Sequence, residues 1–228
     1  MNTSFMKNKL NVTHLFCILA LTSTLIACGN SEKKGTTTQD SAAPVNTTKE
    51  TPTNSTTEKF EEFDWNTVPI STADIGIFPY LSAPDGFFIQ DKGGYDESKT
   101  GYSDLKDFNK LIMFTGKSFY NAEGKVARLK FSMKDKEAEW NQYKFDTYIE
   151  KQLNSIGAKL LAKLKINQAQ KDFLNKDDDM TIYNHMVADP YNEPARFYAL
   201  NHEKGKIMFQ ISSNSSMGEV AVVELVKK

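Results

Sequence analysis

Residues 196–226 read RFYALNHEKGKIMFQISSNSSMGEVAVVELV, and the fold turns on them. Arg196 to Asn201, Lys206 to Ser212 and Glu219 to Val226 are three strand-sized runs rich in β-branched and aromatic residues. Glu203-Lys204-Gly205 and Asn214 to Gly218 carry turn chemistry between them. Ile207, Phe209 and Ile211 alternate along the middle run, which places them on one face, as a half-buried strand requires. The segment therefore predicts an antiparallel meander.

Working outward, Phe145, Tyr148, Ile149, Leu153 and Ile156 fall on one face of a helix. Asp135 is positioned to cap its start, with Glu137 and Glu139 in the first turn, and Gly157 suits the left-handed position after its end. A short strand is expected at Lys159 to Leu164 and a short helix near Gln168 to Leu174. Further upstream, Leu111 to Thr115 and Lys125 to Met133 are strand-like, with Asn121 to Gly124 as the expected turn of a hairpin. Val68 to Gly86 (VPISTADIGIFPYLSAPDG) holds three prolines and reads as an extended, turn-rich lead-in. These elements predict one α+β domain over residues 60–228, with antiparallel strands, one main amphipathic helix and a C-terminal β-meander. Its charges nearly cancel, 22 Lys+Arg against 25 Asp+Glu, with no basic block, so nucleic acid is not an expected partner.

The composition before residue 60 is different. Lys7 and Lys9 precede an apolar run of thirteen residues, Leu15 to Ala27. A bilayer-spanning helix needs about twenty, so the run has the proportions of a secretory signal. Leu25-Ile26-Ala27-Cys28 at its end resembles a bacterial lipobox. That resemblance implies cleavage before Cys28, a thioether-linked diacylglycerol on its sulfur and an acyl group on its amine. Residues 1–27 are then a lipoprotein signal peptide. Cys17 would leave with it, so no disulfide, thiolate metal site or cysteine nucleophile is expected in the mature chain. Two or three acyl chains, at about 0.8 kcal/mol per buried CH₂, would hold the protein on a membrane. Residues 28–59 form the lipidated N-terminus and its spacer, Thr-rich and carrying four basic and four acidic charges. Such a segment buries too little apolar surface to offset its ordering entropy, and predicts a disordered tether spanning about 30 Å.

Catalytic patterns are fragmentary. No Gly-x-Ser-x-Gly occurs. Gly116-Lys117-Ser118 ends like a phosphate loop, but Leu111 stands where its first glycine is required. His202-Glu203 lacks the second histidine of a zinc protease motif. Asp177-Asp178-Asp179 lacks the glycine and the distant glutamate of a calcium loop and reads as a solvated acidic turn. Ser103-Asp104-Leu105-Lys106 matches Ser-x-x-Lys, and Lys99-Thr100-Gly101 matches Lys-Thr-Gly, but the two stand in the wrong order and too close together for penicillin-recognising enzymes. His185 and His202 read as structural. No catalytic residue, metal or cofactor is expected. The remaining candidate is a set of aromatics, Phe78, Tyr80, Phe87, Tyr95 and Tyr102, either core or a peptide- or sugar-binding region.

Val68-Pro69-Ile70-Ser71, Gly76-Ile77-Phe78-Pro79-Tyr80 and Ala83-Pro84-Asp85-Gly86 resemble the region before the peptidoglycan-binding domain of OmpA-family outer-membrane lipoproteins. The resemblance continues through Lys106-Asp107-Phe108, Phe114-Thr115-Gly116, Glu123-Gly124-Lys125-Val126 and Ser155-Ile156-Gly157-Ala158, over residues 67–226. It implies an envelope module without the OmpA-like domain, so wall binding by that domain does not carry over. The expectation is a lipid-anchored envelope lipoprotein that binds or assembles with an envelope protein. Gly29 after the anchored cysteine favours the outer membrane over inner-membrane retention. The alternatives are a cell-wall or lipid hydrolase built on Ser103 and Lys106, and a surface antigen or adhesin.

Overall fold

The computed structural model describes residues 58–90, 102–187, 190 and 192–226. Cys28, the spacer up to Thr57, Tyr95 and Lys99-Thr100-Gly101 lie outside the described residues. A 3-10 turn at Trp65–Thr67 opens the domain. It is followed by β1 (Ile70–Ser71), β2 (Phe87–Ile89), β3 (Asp104–Phe114), β4 (Phe119–Met133), α1 (Gln142–Ser155) and β5 (Lys159–Leu164). The chain then forms α2 (Gln168–Leu174), α3 (Thr181–His185), β6 (Ala195–His202), β7 (Gly205–Ser213) and β8 (Gly218–Leu225). This is the expected α+β class, and β6, β7 and β8 form the expected meander.

The eight strands among the described residues join one sheet in the order β1-β6-β7-β8-β4-β2, with β5 also beside β6 and β3 also beside β4. The β1–β6 pair is parallel and the other ladders are antiparallel. The sheet curls strongly. Phe114 on β3 lies 6.4 Å from Phe197 on β6, although β4, β8 and β7 separate the two strands. Gln210 of β7 reaches across the concave side, its Nε2–H donating to Ile112 O at 2.7 Å.

Two apolar clusters occupy the two faces. On one, Leu129, Phe131, Leu200, Phe209 and Val222 pack against Phe145, Ile149 and Leu153 of α1. On the other, Val126, Phe197, Met208 and Val223 meet Leu111, Phe119, Leu174 and Ile182, which brings in α2 and α3. The central strands are therefore buried on both sides, and β7 is not the half-buried strand its alternation suggested. Its second face carries Met208, Gln210 and Ser212, all buried. Gln210 is tolerated there because its amide is hydrogen bonded at both ends; Val187 N–H donates to its Oε1 at 2.8 Å.

Two local expectations are corrected. Asn121 to Gly124 is not a turn: Asn121, Ala122 and Glu123 pair with Ile112, Leu111 and Lys110 inside the β3–β4 ladder. The hairpin turns at Thr115 to Ser118, where Gly116 takes φ +94°. Gly124 is needed for close approach, since a Cβ there would lie 2.0 Å from Glu224 O. Asp135 does not cap α1. Its carboxylate accepts from Glu137 N–H in a separate turn, and the cap is Asn141, whose Oδ1 accepts from Lys144 N–H at 2.9 Å. Gly157 does end the helix at φ +78°. The acidic run at Asp177–Asp179 leads into α3, which its composition did not predict.

Candidate functional site

Among the described residues, a cavity of about 980 Å³ opens where β4 outruns its neighbours. Strand alternation builds one wall. Phe87 points inward, and the next residue, Phe88, turns to the other face and lines the cleft. Ser132 and Met133 at the end of β4 continue that wall. The connection to α1 forms the second wall with Lys134, Asp135, Lys136, Glu139 and Trp140, and Ser215 and Ser216 of the β7–β8 turn form the third.

Trp140 is fixed from three directions. Its ring stands edge-on to Phe87 at 5.1 Å and 90°, and packs at 5.3 Å on Phe145. Its indole N–H donates to Asn214 O at 2.9 Å. Asn214 in turn organises the β7–β8 turn: its Oδ1 accepts from Ser216 N–H at 2.8 Å, Ser216 Oγ–H at 2.8 Å and Met217 N–H at 3.0 Å. Lys134 and Lys136 oppose Asp135 and Glu139 on the rim, so the formal charges cancel.

The structure divides the aromatic set expected from sequence. Phe87 is buried, while Phe78, Tyr80 and Tyr102 are half-buried and pack on the same face of the sheet. Lys125 lies over Phe78 at 4.7 Å, and Tyr80 Oη–H donates to the Glu224 carboxylate at 2.5 Å. Burial, then this carboxylate, raises the Tyr80 hydroxyl well above its ordinary pKa. Lys125 and Met133, the strand partner of Phe87, are eight residues apart on β4, or about 26 Å at the strand rise. Phe78 and Tyr80 therefore do not belong to the Phe87–Trp140 site. Sequence reading missed Trp140 and Ser215 because nothing local marks the approach of the β7–β8 turn.

The hydrolase candidates are not assembled. Ser103 Oγ–H donates to Gln90 O at 2.5 Å and accepts from Lys130 N–H at 2.9 Å, tying the residues just after β2 and just before β3 to β4. Lys106 is exposed, 3.9 Å from Asp104, and three residues along a strand puts it on the opposite face from Ser103. His202 is held by Lys204 N–H at Nδ1 and by Ala73 O at Nε2, both at 3.1 Å. His185 Nδ1 meets Lys110 O at 3.1 Å, and burial lowers its pKa despite that acceptor.

A second cavity of about 250 Å³ lies against Arg128, Ile182, Tyr183 and Glu219. Its guanidinium is committed: Arg128 donates to Glu219 at 2.7 Å and to Met186 O and Asn184 O at 2.9 Å each. Among the described residues, no group of three or more His, Cys, Asp and Glu could hold a metal ion, and no helix is long and apolar enough to cross a membrane. No family model, curated protein or solved structure matches the chain.

Proposed function

We propose that this chain is a lipid-anchored binding module of the bacterial envelope, retained at the outer membrane, that holds another envelope component. The observation that carries the reading is Leu25-Ile26-Ala27-Cys28 closing a thirteen-residue apolar run, with a polar spacer before the folded domain. The site chemistry supports binding over hydrolysis. Ser103 is spent in a strand-to-strand clamp, and the 980 Å³ cleft offers a fixed aromatic wall and a charge-balanced rim.

The test has two parts. Cells expressing the chain are fed an alkyne-tagged palmitate, and membranes are fractionated. Label should sit in the outer-membrane fraction and disappear in Cys28→Ala. An unlabelled chain, or label that survives the substitution, overturns the anchor. A photoreactive side chain at Ser215 should then capture an envelope component in living cells; a substrate turned over by the purified chain would instead make it an enzyme.

A further inference from the structure

We propose that the cleft between the β4–α1 connection and the β7–β8 turn binds a neutral glycan chain. The inference rests on the binding role above and names the ligand class of that same cleft. At about 980 Å³ the space lies at the upper end of ligand pockets, roughly 300–1,000 Å³, and suits several linked rings better than one small molecule.

Two observations favour a sugar. First, Phe88 and Trp140 give the walls aromatic character. The C–H faces of a sugar ring, polarised by their oxygens, fit the electron-rich face of such a ring. Trp140 is held by Phe87, Phe145 and Asn214 O, so no rotamer freedom is lost on stacking. Second, Lys134 and Lys136 are balanced by Asp135 and Glu139 around the rim. No field of one sign draws in a charged polymer, while ammonium, carboxylate and the Ser215 hydroxyl can all hydrogen bond to sugar hydroxyls.

The experiment uses the acylated full chain, extracted in a detergent without a sugar headgroup. It is titrated calorimetrically with a neutral tetrasaccharide of N-acetylglucosamine. Saturable binding is expected, weakened about tenfold or more by Trp140→Ala and less by Trp140→Phe, which keeps an aromatic face but loses the bond to Asn214 O. Because Trp140→Ala also removes a contact of Phe87 and Phe145, Ser215→Arg provides a second variant. Ser215 is exposed, and the longer side chain would occupy the cleft and abolish binding without touching the core. Three results overturn the inference: no saturable binding by the folded chain, binding that Ser215→Arg leaves unchanged, or preferential binding of an uncharged extended peptide that Ser215→Arg blocks. None of these touches the acyl-labelling result at Cys28, so failure of the ligand class and failure of the anchor are distinguishable.

Discussion

Gly124→Ala tests the register of the whole sheet. Gly124 is buried on β4 opposite Leu225 of β8, and a Cβ there would meet Glu224 O at 2.0 Å, Glu224 C at 2.8 Å and Leu225 Cα at 2.9 Å. All three are backbone atoms, so no side chain can swing aside. Ordinary contact begins near 3.4 Å, and one strand must move by more than an ångström. Overpacking of this kind costs about 1–3 kcal/mol. Gly124 lies at the end of the β4–β8 ladder, so the strain can be relieved by fraying its last pairs, at about 0.5–1.5 kcal/mol per hydrogen bond lost. The two together give about 2–4 kcal/mol. With a urea m-value of about 2 kcal/mol/M, the unfolding midpoint should fall by about 1–2 M. Gly116→Ala is the control, because Gly116 is the true turn glycine, at φ +94°, where an L side chain costs about 1–2 kcal/mol. Urea unfolding followed by far-UV circular dichroism compares the two. If Gly124→Ala shifts the midpoint less than Gly116→Ala does, then β8 does not run beside Gly124 and the ladder is misplaced.

Other substitutions probe separate joints. Arg128→Met should cost about 3–5 kcal/mol, because it strands buried Glu219 and leaves Asn184 O and Met186 O without their donor; Arg128→Met with Glu219→Met should recover most of the loss in the same urea assay. Asn141→Ala should cost about 1 kcal/mol by uncapping α1. Asp135→Ala should stay within about 0.5 kcal/mol, since it serves only an exposed turn. His185 has a folded pKa below its unfolded value near about 6.5, so the unfolded chain binds the extra proton first and stability falls as pH drops through that value. Thermal melts from pH 7.5 to 5.5 should therefore lose less in His185→Asn than in the parent; an equal loss would assign the acid sensitivity to other groups.

What the sequence disclosed was local. The three runs of residues 196–226 became β6, β7 and β8, and Lys159–Leu164 and Gln168–Leu174 became β5 and α2, because periodicity and turn chemistry act over a few residues. The errors came from contacts between distant segments. Gly124 looked like a turn glycine because the sequence cannot show that the Glu224 backbone passes against it. Asp135 and Asn141 are both competent caps, and the buried positions of Phe145, Ile149 and Leu153 settle the start of α1 in favour of the later one. The aromatic set was partly legible: Phe87 borders the site as its support, Phe88 lines it, and Phe78 and Tyr80 serve the other end of the sheet. Trp140 and Ser215 are 75 residues apart in sequence and meet only once the meander is formed.

The cleft follows from unequal strand lengths. β4 runs for 15 residues, but β8 covers it only as far as Phe131 and β3 only as far as Arg128. Ser132 and Met133 therefore project beyond both, and β2 pairs with them on one side only. On the other side, β8 has already turned away through Asn214–Met217, and the chain leaving β4 must travel through Lys134–Trp140 before α1 can lie on the sheet. That detour is not filled by core, because the apolar stripe of α1 begins only at Phe145. The one large side chain placed early, Trp140, is half-buried and locked to the β7–β8 turn by its N–H. Removing that bond, by a change that keeps the ring, should loosen the cleft while leaving both cores packed. Binding and global stability are thus separable here, as expected of a site formed by the overhang of a sheet outside its core.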